Sequence, residues 1–191
     1  MEINKTIRYE HELDSDFPSW VSSAPGGEYL WQCIQCGTCS GSCPLSIYMD
    51  YTPRRIIAMS RAGFKEDVLK STTIWLCASC YACTVQCPQE IQLTDLMYLF
   101  KQRAIKEGKY PKRFPIPILS KEFFNMVWKR GRTTESFLVA KMFLKTNPLK
   151  LFNMTSLGLK LLRYGRMTLG LEAMKNKKEL RTILKASKEE S

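Results

Sequence analysis

Histidine is nearly absent from this sequence: His11 is the single one among 191 residues. Zinc and haem sites that rely on several imidazole ligands are therefore excluded, and we expect His11 to be an ordinary surface or strand residue. The sequence also lacks a glycine-rich phosphate-binding loop, a nucleophile elbow and a constellation of paired carboxylates. Without these motifs, nothing in the sequence predicts that the chain itself transforms a substrate.

Long hydrophobic runs are absent as well. A membrane-spanning helix needs about 20 consecutive apolar residues, and Lys or Arg interrupts the apolar runs of the C-terminal half every few residues. The first residues, Met1 to Lys5, contain no basic segment that leads into an apolar one, so we expect no secretory signal. These absences favour a cytoplasmic protein, and in that compartment closely spaced cysteines more often bind metal than form disulfides.

Positive charge is abundant but unevenly distributed. The chain has 29 Lys and Arg against 18 Asp and Glu, a formal net charge of +11. Residues 1–110 have a net charge of −1, whereas residues 111–191 have a net charge of +12. This asymmetry predicts a near-neutral half and a basic half that contacts a partner.

All eight cysteines lie in two short runs within the near-neutral half. The first run has the pattern C-x2-C-x2-C-x3-C-P, and the second repeats it with the same spacing 44 residues later. The two runs together comprise Cys33, Cys36, Cys39 and Cys43, then Cys77, Cys80, Cys83 and Cys87. Such a repeat predicts two duplicated half-sites related by a pseudo-two-fold axis.

This cysteine pattern is a specific signal for 4Fe–4S clusters in ferredoxin-type modules, in which the fourth cysteine of each run binds the other cluster. The predicted ligands are Cys33, Cys36, Cys39 and Cys87 for one cluster, and Cys77, Cys80, Cys83 and Cys43 for the second. Pro44 and Pro88 follow the fourth cysteines and turn the chain, because proline lacks an N–H and has a fixed φ. With every iron bound by cysteine, no position remains for a substrate, so the pattern predicts an electron carrier.

Alternative uses of the cysteines and of the neighbouring tryptophans remain open from the residues alone. Two structural zinc sites would also use eight cysteines. Zinc ribbons, however, pair two C-x2-C knuckles rather than runs of four cysteines that end in Cys-Pro. Disulfides are a further alternative, disfavoured by the expected compartment. Trp31 and Trp75 precede the two runs, and we expect them to pack as lids over the clusters rather than to relay electrons.

Helical periodicity dominates the rest of the near-neutral half. Thr52 and Pro53 are predicted to begin a helix that ends at Gly63. A shorter helical piece is predicted over residues 65–70. A longer helix follows the second cysteine run and ends before Gly108. Its apolar positions are Leu93, Leu96, Met97, Phe100 and Ala104.

The basic half is predicted to form several short amphipathic helices. Ser120 is expected to cap the first of them, and the second is expected to stop before Asn147. A third is predicted near residues 155–164, and residues 175–191 are either a frayed helix or a tail. The apolar residues of this half are interpreted as helix core, with a docking surface as the second interpretation.

The two cysteine runs, their offset and the helix between them resemble the α-helical ferredoxin family. The length of the chain, the arm before the first run and the basic C-terminal half resemble, more narrowly, the C subunit family of the heterodisulfide reductases of methanogenic archaea. Only the eight cysteines match position by position, because the C-terminal half contains no motif that aligns. The same motifs occur in related iron–sulfur subunits of glycerol-3-phosphate, glycolate, lactate and succinate oxidation, which are often fused to cysteine-rich CCG domains that this sequence does not contain.

This resemblance implies a role as well as a cofactor. In such complexes the C subunit carries two 4Fe–4S clusters and passes electrons from the flavin-containing subunit to the catalytic subunit, which reduces the coenzyme M–coenzyme B heterodisulfide in methanogenesis. In hydrogenotrophic methanogens the complex also joins a hydrogenase or formate dehydrogenase and bifurcates electrons to ferredoxin. The alternative function is that of an iron–sulfur protein in a membrane-associated dehydrogenase of the glycerol-3-phosphate, lactate or succinate type.

The expected fold class is mainly α, an α-helical ferredoxin module with two 4Fe–4S clusters followed by a basic helical region. Residues 1–27 are predicted to form an N-terminal arm, and alternation over residues 3–13 predicts one short strand within it. Residues 28–110 are the predicted two-cluster domain, and residues 111–191 the predicted region for partner docking.

Two binding functions compete with the electron carrier. The basic half combines Lys and Arg with aromatic residues, as nucleic-acid-binding proteins do, but it contains no dense basic run and no recognisable nucleic-acid-binding motif. Its basic amphipathic helices would also suit peripheral docking on a membrane. We expect no nucleic-acid partner, and the missing membrane spans and CCG motifs favour a soluble complex.

Overall fold

The structure, a computed structural model, describes residues 8–111, 114–166, 170, 173–174 and 176–189. Within these residues every regular element is helical, so the predicted mainly α fold class is confirmed. The α-helices are α1 Asp16–Ser23, α2 Thr38–Gly41, α3 Pro53–Arg61, α4 Lys65–Lys70, α5 Thr73–Leu76, α6 Ala82–Val85, α7 Leu93–Glu107, α8 Pro115–Arg130, α9 Glu135–Thr146, α10 Pro148–Asn153, α11 Thr155–Arg163 and α12 Lys177–Glu189. Short 3₁₀ turns cover Glu10–Glu12, Leu30–Gln32 and Ser46–Tyr48. The chain divides into two compact units, Met1–Pro111 and Lys112–Ser191.

The first unit, Met1–Pro111, is built around α7. This helix packs against α4 and α5, while α1 packs against α3. Apolar residues recur along α7 at a spacing of three or four, which places them on one face of the helix and buries them. The buried apolar side chains of this unit are Phe17, Val21, Leu30, Ile56, Ile57, Val68, Leu69, Ile74, Trp75, Ile91, Leu93, Leu96, Met97, Phe100 and Ala104.

The two longest helices of this unit begin and end largely as predicted. Thr52 precedes α3 with an extended backbone, and Pro53 occupies the first helical position. Pro is favoured there because an N–H at that position would have no partner within the helix. Gly108 ends α7 with a φ of 67°, a left-handed conformation that glycine adopts at little steric cost.

The N-terminal arm differs from the prediction. Residues 3–7 of the expected strand lie outside the described residues, and the described remainder contains the 3₁₀ turn Glu10–Glu12 instead of a strand. The sequence analysis also missed α1. Asp14 begins this helix by accepting hydrogen bonds from the amides of Asp16 and Phe17, at 3.1 and 3.0 Å. The capped helix follows the segment with the alternating pattern, and it buries Phe17 and Val21 one turn apart.

The second unit, Lys112–Ser191, packs α8 against α9, and α8 also contacts α12. Helix α8 begins at Pro115, five residues before Ser120, so the prediction that Ser120 caps it is wrong. Pro115 and Pro117 both fit in the first turn, where the missing N–H groups are not needed. The predicted helices before Asn147 and near residues 155–164 are found as α9 and α11.

Few side chains are buried in the second unit. Among those described is Glu122, whose carboxylate pairs with Lys145 and, at 3.5 Å, with Lys141. The hydrogen bond from Lys145 holds the pKa of Glu122 below its ordinary value. Many apolar side chains stay exposed beside the basic ones, among them Leu144 and Leu159. In the part of the chain that is described, no helix combines the length and apolar character needed to cross a bilayer.

Candidate metal centre

The two cysteine runs of the first unit fold in the same way. Cys33 and Cys77 each follow a short helical turn and have nearly equal dihedral angles, φ −60° and ψ 113° against φ −55° and ψ 113°. Two residues later, Gln35 and Ser79 both adopt left-handed conformations, with φ values of 57° and 56°. The sequence repeat is therefore a structural repeat, in which matching residues adopt matching backbone conformations.

A second left-handed residue follows the second cysteine of each run. Gly37 has a φ of 87°, and Tyr81, at the matching position, has a φ of 60°. Helices α2 and α6 begin at the next residue in each run. A bulky residue seldom adopts a positive φ, and such strain, of order 1–3 kcal/mol, persists where the surroundings impose it. The second loop therefore keeps the backbone conformation of the first despite the strain at Tyr81.

Each run lines a cavity, and the two cavities are nearly equal in size. They enclose about 410 and about 420 Å³, including space that is open to solvent. The thiols of the first cavity belong to Cys33, Cys36, Cys39 and Cys87, joined by Cys83. Those of the second cavity belong to Cys43, Cys77, Cys80 and Cys83. Pro88 lines the first cavity and Pro44 the second.

The fourth cysteine of each run thus lies at the other run's cavity. Cys87 lies with the first three cysteines of the first run, and Cys43 lies with the first three of the second run. Apolar side chains such as Ile57 and Met97 complete the linings. Four thiols with an apolar surround make a soft donor set of the kind that iron–sulfur clusters use, so the residues present fit the predicted cofactor.

The thiols are not gathered around one point. Among the described residues, no group of three or more His, Cys, Asp or Glu side chains is arranged to hold one metal ion. A tetrahedral zinc site requires four ligand atoms within about 2.3 Å of a single ion. A cubane instead distributes its four thiolates over four irons, so a cavity with thiols on its walls suits a cluster.

Two of the thiols, Cys39 and Cys43, are disfavoured as thiolates where no counter-charge is present. Burial raises the pKa of the Cys39 thiol to about 11, and the neighbouring thiols Cys33, Cys83 and Cys36 add to the rise. Burial also raises the pKa of the Cys43 thiol, with further increases from Cys83, Cys80 and Cys77. Metal binding requires the deprotonated thiol and supplies positive charge, so it would relieve this repulsion. The neighbours of Cys43 again group it with the second run.

Polar side chains hydrogen-bond three of the sulfurs. In the first run the Gln35 amide donates to Cys33 Sγ at 3.2 Å, and the Cys36 Sγ lies 3.4 Å from the Thr38 hydroxyl. That hydroxyl, together with nearby backbone amides, lowers the pKa of the Cys36 thiol.

In the second run Cys83 Sγ lies 3.7 Å from the Thr94 hydroxyl, and Thr94 is almost fully buried. Hydrogen bonds to ligand sulfurs are one of the means by which a protein sets the potential of an iron–sulfur cluster.

Each run is also held from the helix that follows it. Arg61 of α3 donates to the carbonyl of Cys33 at 2.7 Å, and Lys101 of α7 donates to the carbonyl of Cys77 at 3.3 Å. Neither cation was predicted from the sequence. Their one signal in the sequence is position, since each lies on the helix that comes after its own cysteine run.

The two tryptophans do not act as lids. Trp75 is buried, and its ring packs edge-on against Tyr110 at 6.3 Å between ring centroids. Trp31 is half exposed, with the Arg61 guanidinium 5.6 Å from its ring centroid. Neither belongs to the described lining of a cavity. The lid interpretation was wrong, because Trp75 packs in the hydrophobic core and Trp31 lies against Arg61 outside both cavity linings.

Asp50 ties the loop after the first run to the helix before the second. Its carboxylate accepts hydrogen bonds from the amides of Thr72 and Thr73 at 2.8 and 2.9 Å, and from the hydroxyl of Thr73 at 2.6 Å. Burial raises the pKa of Asp50, but these bonds and one from the Tyr51 amide bring it below its ordinary value. This cap of α5 joins residues 22 or 23 positions apart, so helical periodicity could not reveal it.

We expect Asp50→Ala to lower the free energy of unfolding by about 1–2 kcal/mol, because it leaves the first amides of α5 without their acceptor. The folded-state pKa is lowered, so this stabilisation is fully present above the unfolded value of about 3.9 and is lost as the pH falls through the folded one. The deficit should thus be constant between about pH 6 and about pH 8. Thermal unfolding of Asp50→Ala and of Glu28→Ala, an exposed acidic control, measures it; an equal loss in both would contradict the capping role.

Comparison with known proteins identifies the class of the first unit. Residues 29–91 match the family model described as the 4Fe–4S dicluster domain. This range contains all eight cysteines and both left-handed loops. The chain is therefore a mainly helical protein that contains a 4Fe–4S dicluster domain.

The relatives of the chain are more specific. It is 36% identical over 108 residues to the C subunit of the H(2):CoB-CoM heterodisulfide,ferredoxin reductase of Methanothermobacter marburgensis, a match that covers 56% of this chain and 58% of that protein. It is 30% identical over 119 residues to the iron-sulfur C subunit of the CoB--CoM heterodisulfide reductase of Methanopyrus kandleri, covering 59% and 62%. The chain thus spans about three fifths of the length of these curated relatives. The resemblance to the C subunit of the heterodisulfide reductases of methanogens is confirmed.

A third relative has formate as well as H(2) in its name. Over 83 residues the chain is 36% identical to the C2 subunit of the H(2)/formate:CoB-CoM heterodisulfide,ferredoxin reductase of Methanococcus maripaludis, which covers 44% of this chain and 45% of that protein. All three relatives are named as one subunit of a larger reductase.

Proposed function

We propose that the first unit binds two 4Fe–4S clusters, one in each cavity. Cys33, Cys36, Cys39 and Cys87 would bind the first cluster, and Cys77, Cys80, Cys83 and Cys43 the second. The observation that carries this proposal is the crosswise arrangement, in which each cavity has three thiols from one run and the fourth from the other. A bound 4Fe–4S cluster accepts and releases single electrons. The Cys83 thiol lines both cavities, so it connects the two sites.

The residues around the cysteines would shape this function. Arg61 and Lys101 fix the carbonyls of the first cysteine in each run, and apolar side chains such as Ile57 and Met97 line the cavities beside the cysteines. With four thiolates assigned to each cubane, every iron is bound by cysteine and no iron position is open to a substrate. The chain is therefore an electron carrier within a complex rather than its catalytic subunit.

The complex that we propose is a heterodisulfide reductase of methanogens. Relatives named as the C subunit of such reductases support this proposal. The chain would pass electrons from a flavin-containing subunit to the catalytic subunit that reduces the coenzyme M–coenzyme B heterodisulfide. A hydrogenase or formate dehydrogenase would supply the electrons, with bifurcation to ferredoxin, in the cytoplasm. The second unit, with a net charge of +12 over residues 111–191, would contact these partners.

Anaerobic purification tests both parts of the proposal. Two cubanes predict about eight irons and eight acid-labile sulfides per chain, together with EPR signals that appear on reduction. Two zinc ions without iron would refute the cofactor. Purification from the native organism should recover flavin-containing and heterodisulfide-reducing subunits with the chain. Recovery of a glycerol-3-phosphate, lactate or succinate dehydrogenase would instead establish the alternative function.

A further inference from the structure

The two cavities differ in charge. Arg54, at the start of α3, lines the first cavity beside the loop of the first cysteine run. The described residues that line the second cavity include no Asp, Glu, Lys, Arg or His. The duplicated site is therefore symmetric in its cysteines and asymmetric in its electrostatics.

The other polar contacts are nearly matched between the two halves. Arg61 and Lys101 each donate to the carbonyl of the first cysteine in a run. Thr38 and Thr94 each bring a hydroxyl to a sulfur of one run. Because these contributions occur in both halves, they do little to distinguish one cavity from the other. Two differences remain among the described contacts: the charge of Arg54 and the hydrogen bond from Gln35 to the Cys33 sulfur.

Arg54 is held close to the first-run loop. Its amide donates to the Ser40 hydroxyl at 3.0 Å, and its guanidinium donates to the carbonyl of Gln35 at 3.4 Å. An ideal Cβ on Gly37 would lie 3.7 Å from the Cδ of Arg54 and 3.8 Å from its Nη1. The guanidinium therefore lies against the backbone between the first and third cysteines of the run.

A permanent cation at this position has a predictable effect. A guanidinium group is a cation in proteins, and reduction of a cluster adds one negative charge beside it. The attraction is stronger for the reduced form than for the oxidised one. Because Arg54 is exposed, solvent and salt screen part of this attraction. Gln35, which donates to Cys33 Sγ at 3.2 Å, acts in the same direction because hydrogen bonds to ligand sulfurs also stabilise the reduced form.

We propose that Arg54 raises the reduction potential of the cluster in the first cavity above that of the cluster in the second. The inference rests on the proposed function, since it requires both clusters. Its consequence is directional: a single electron delivered to the chain resides in the first cavity. A protein that accepts this electron would therefore bind at the surface around the first run, where Ile34 is 62% exposed.

Redox titration of the purified holoprotein, followed by EPR, tests the role of Arg54. The variants are Arg54→Gln, Arg54→Lys and Arg55→Gln. Arg55→Gln is the matched control, because it removes an equal charge at the adjacent residue. The guanidinium of Arg55 lies over the ring of Tyr51, 4.9 Å from its centroid. The signal of the first cavity is identified as the one that Cys87→Ala removes.

We expect Arg54→Gln to shift the midpoint potential of the first-cavity signal downward and to leave the second signal unchanged. Arg54→Lys should restore most of the shift, and Arg55→Gln should leave both signals at their original potentials. Equal shifts of both signals, an equal shift in Arg55→Gln, or an unchanged first signal in folded Arg54→Gln would each overturn the inference. Absence of iron from the unaltered protein would instead refute the proposed function itself, so the two failures are distinguishable.

Discussion

Cys43→Ala is expected to remove the cluster of the second cavity, although Cys43 belongs to the first cysteine run. Cys43 is on the wall of the second cavity with Cys77, Cys80 and Cys83. The thiols that raise its pKa, beyond the effect of burial, are the same three. Loss of one of four thiolate ligands leaves an iron incompletely bound, because the three cysteines that remain on the described wall of this cavity are already assigned to the other irons.

The expected iron content of Cys43→Ala is about four per chain instead of about eight, with one EPR signal retained. Cys87→Ala is the matched variant, since Cys87 belongs to the second run but lies in the first cavity. It should remove the other signal and keep the one that Cys43→Ala loses. The retained cluster in each variant has all four of its assigned ligands, so its EPR line shape should be close to that of the unaltered protein.

The opposite pairing of signals would contradict the crosswise arrangement. If Cys43→Ala removed the same signal as Cys36→Ala, each run would bind its own cluster. Cys36 lies in the first cavity, so Cys36→Ala and Cys87→Ala should share one phenotype. Iron analysis, sulfide analysis and EPR on all three variants resolve the two ligand arrangements.

The cysteine sites could be predicted because their information is local. Three cysteines at a spacing of three place three thiols on one loop, and the repeat after 44 residues indicates a second loop of the same kind. Helix α7 could be predicted for a related reason, since its apolar positions recur with the helical period and Gly108 ends it. Neither inference requires knowledge of how distant segments meet.

The residues that adjust the site could not be predicted in that way. Arg54, Arg61 and Lys101 are ordinary surface cations by sequence, and only the packing of α3 and α7 brings them to the cysteine loops. Asp50 is equally inconspicuous, yet it caps a helix that begins 23 residues later. Their roles depend on contacts between distant segments, on which hydrophobic periodicity carries no information.

Errors at the ends of elements have a local cause. Ser120 has the side chain of a good N-cap, but α8 already begins at Pro115. Proline in a first turn is as strong a start signal as a capping serine, and two such signals competed within six residues. Tyr81 is the opposite case. Its positive φ matches that of Gly37 at the equivalent position of the first run, although tyrosine itself seldom adopts a positive φ.

Phe100→Ala is expected to destabilise the first unit by about 3–5 kcal/mol, the range for removing a buried phenylalanine from a packed core. Phe100 is fully buried on α7, and its ring centroid lies 6.0 Å from that of Phe17 on α1. The cavity left behind lies between helices that already pack closely, so only part of it can close by relaxation. Ile105→Ala on the same helix is the control, because Ile105 is 40% exposed and its truncation should cost far less.

Hydrogen exchange of the anaerobic holoprotein measures this effect without complete unfolding. Protection of the α7 amides should fall by about two to four orders of magnitude in Phe100→Ala, the equivalent of the expected free energy, and change little in Ile105→Ala. Because α7 also bears Thr94 beside Cys83 and Lys101 on the carbonyl of Cys77, its loosening should accelerate the loss of iron to a chelator. Unchanged protection of α7 would show that the cysteine loops, held by their metal, and not the hydrophobic core, determine the stability of this helix.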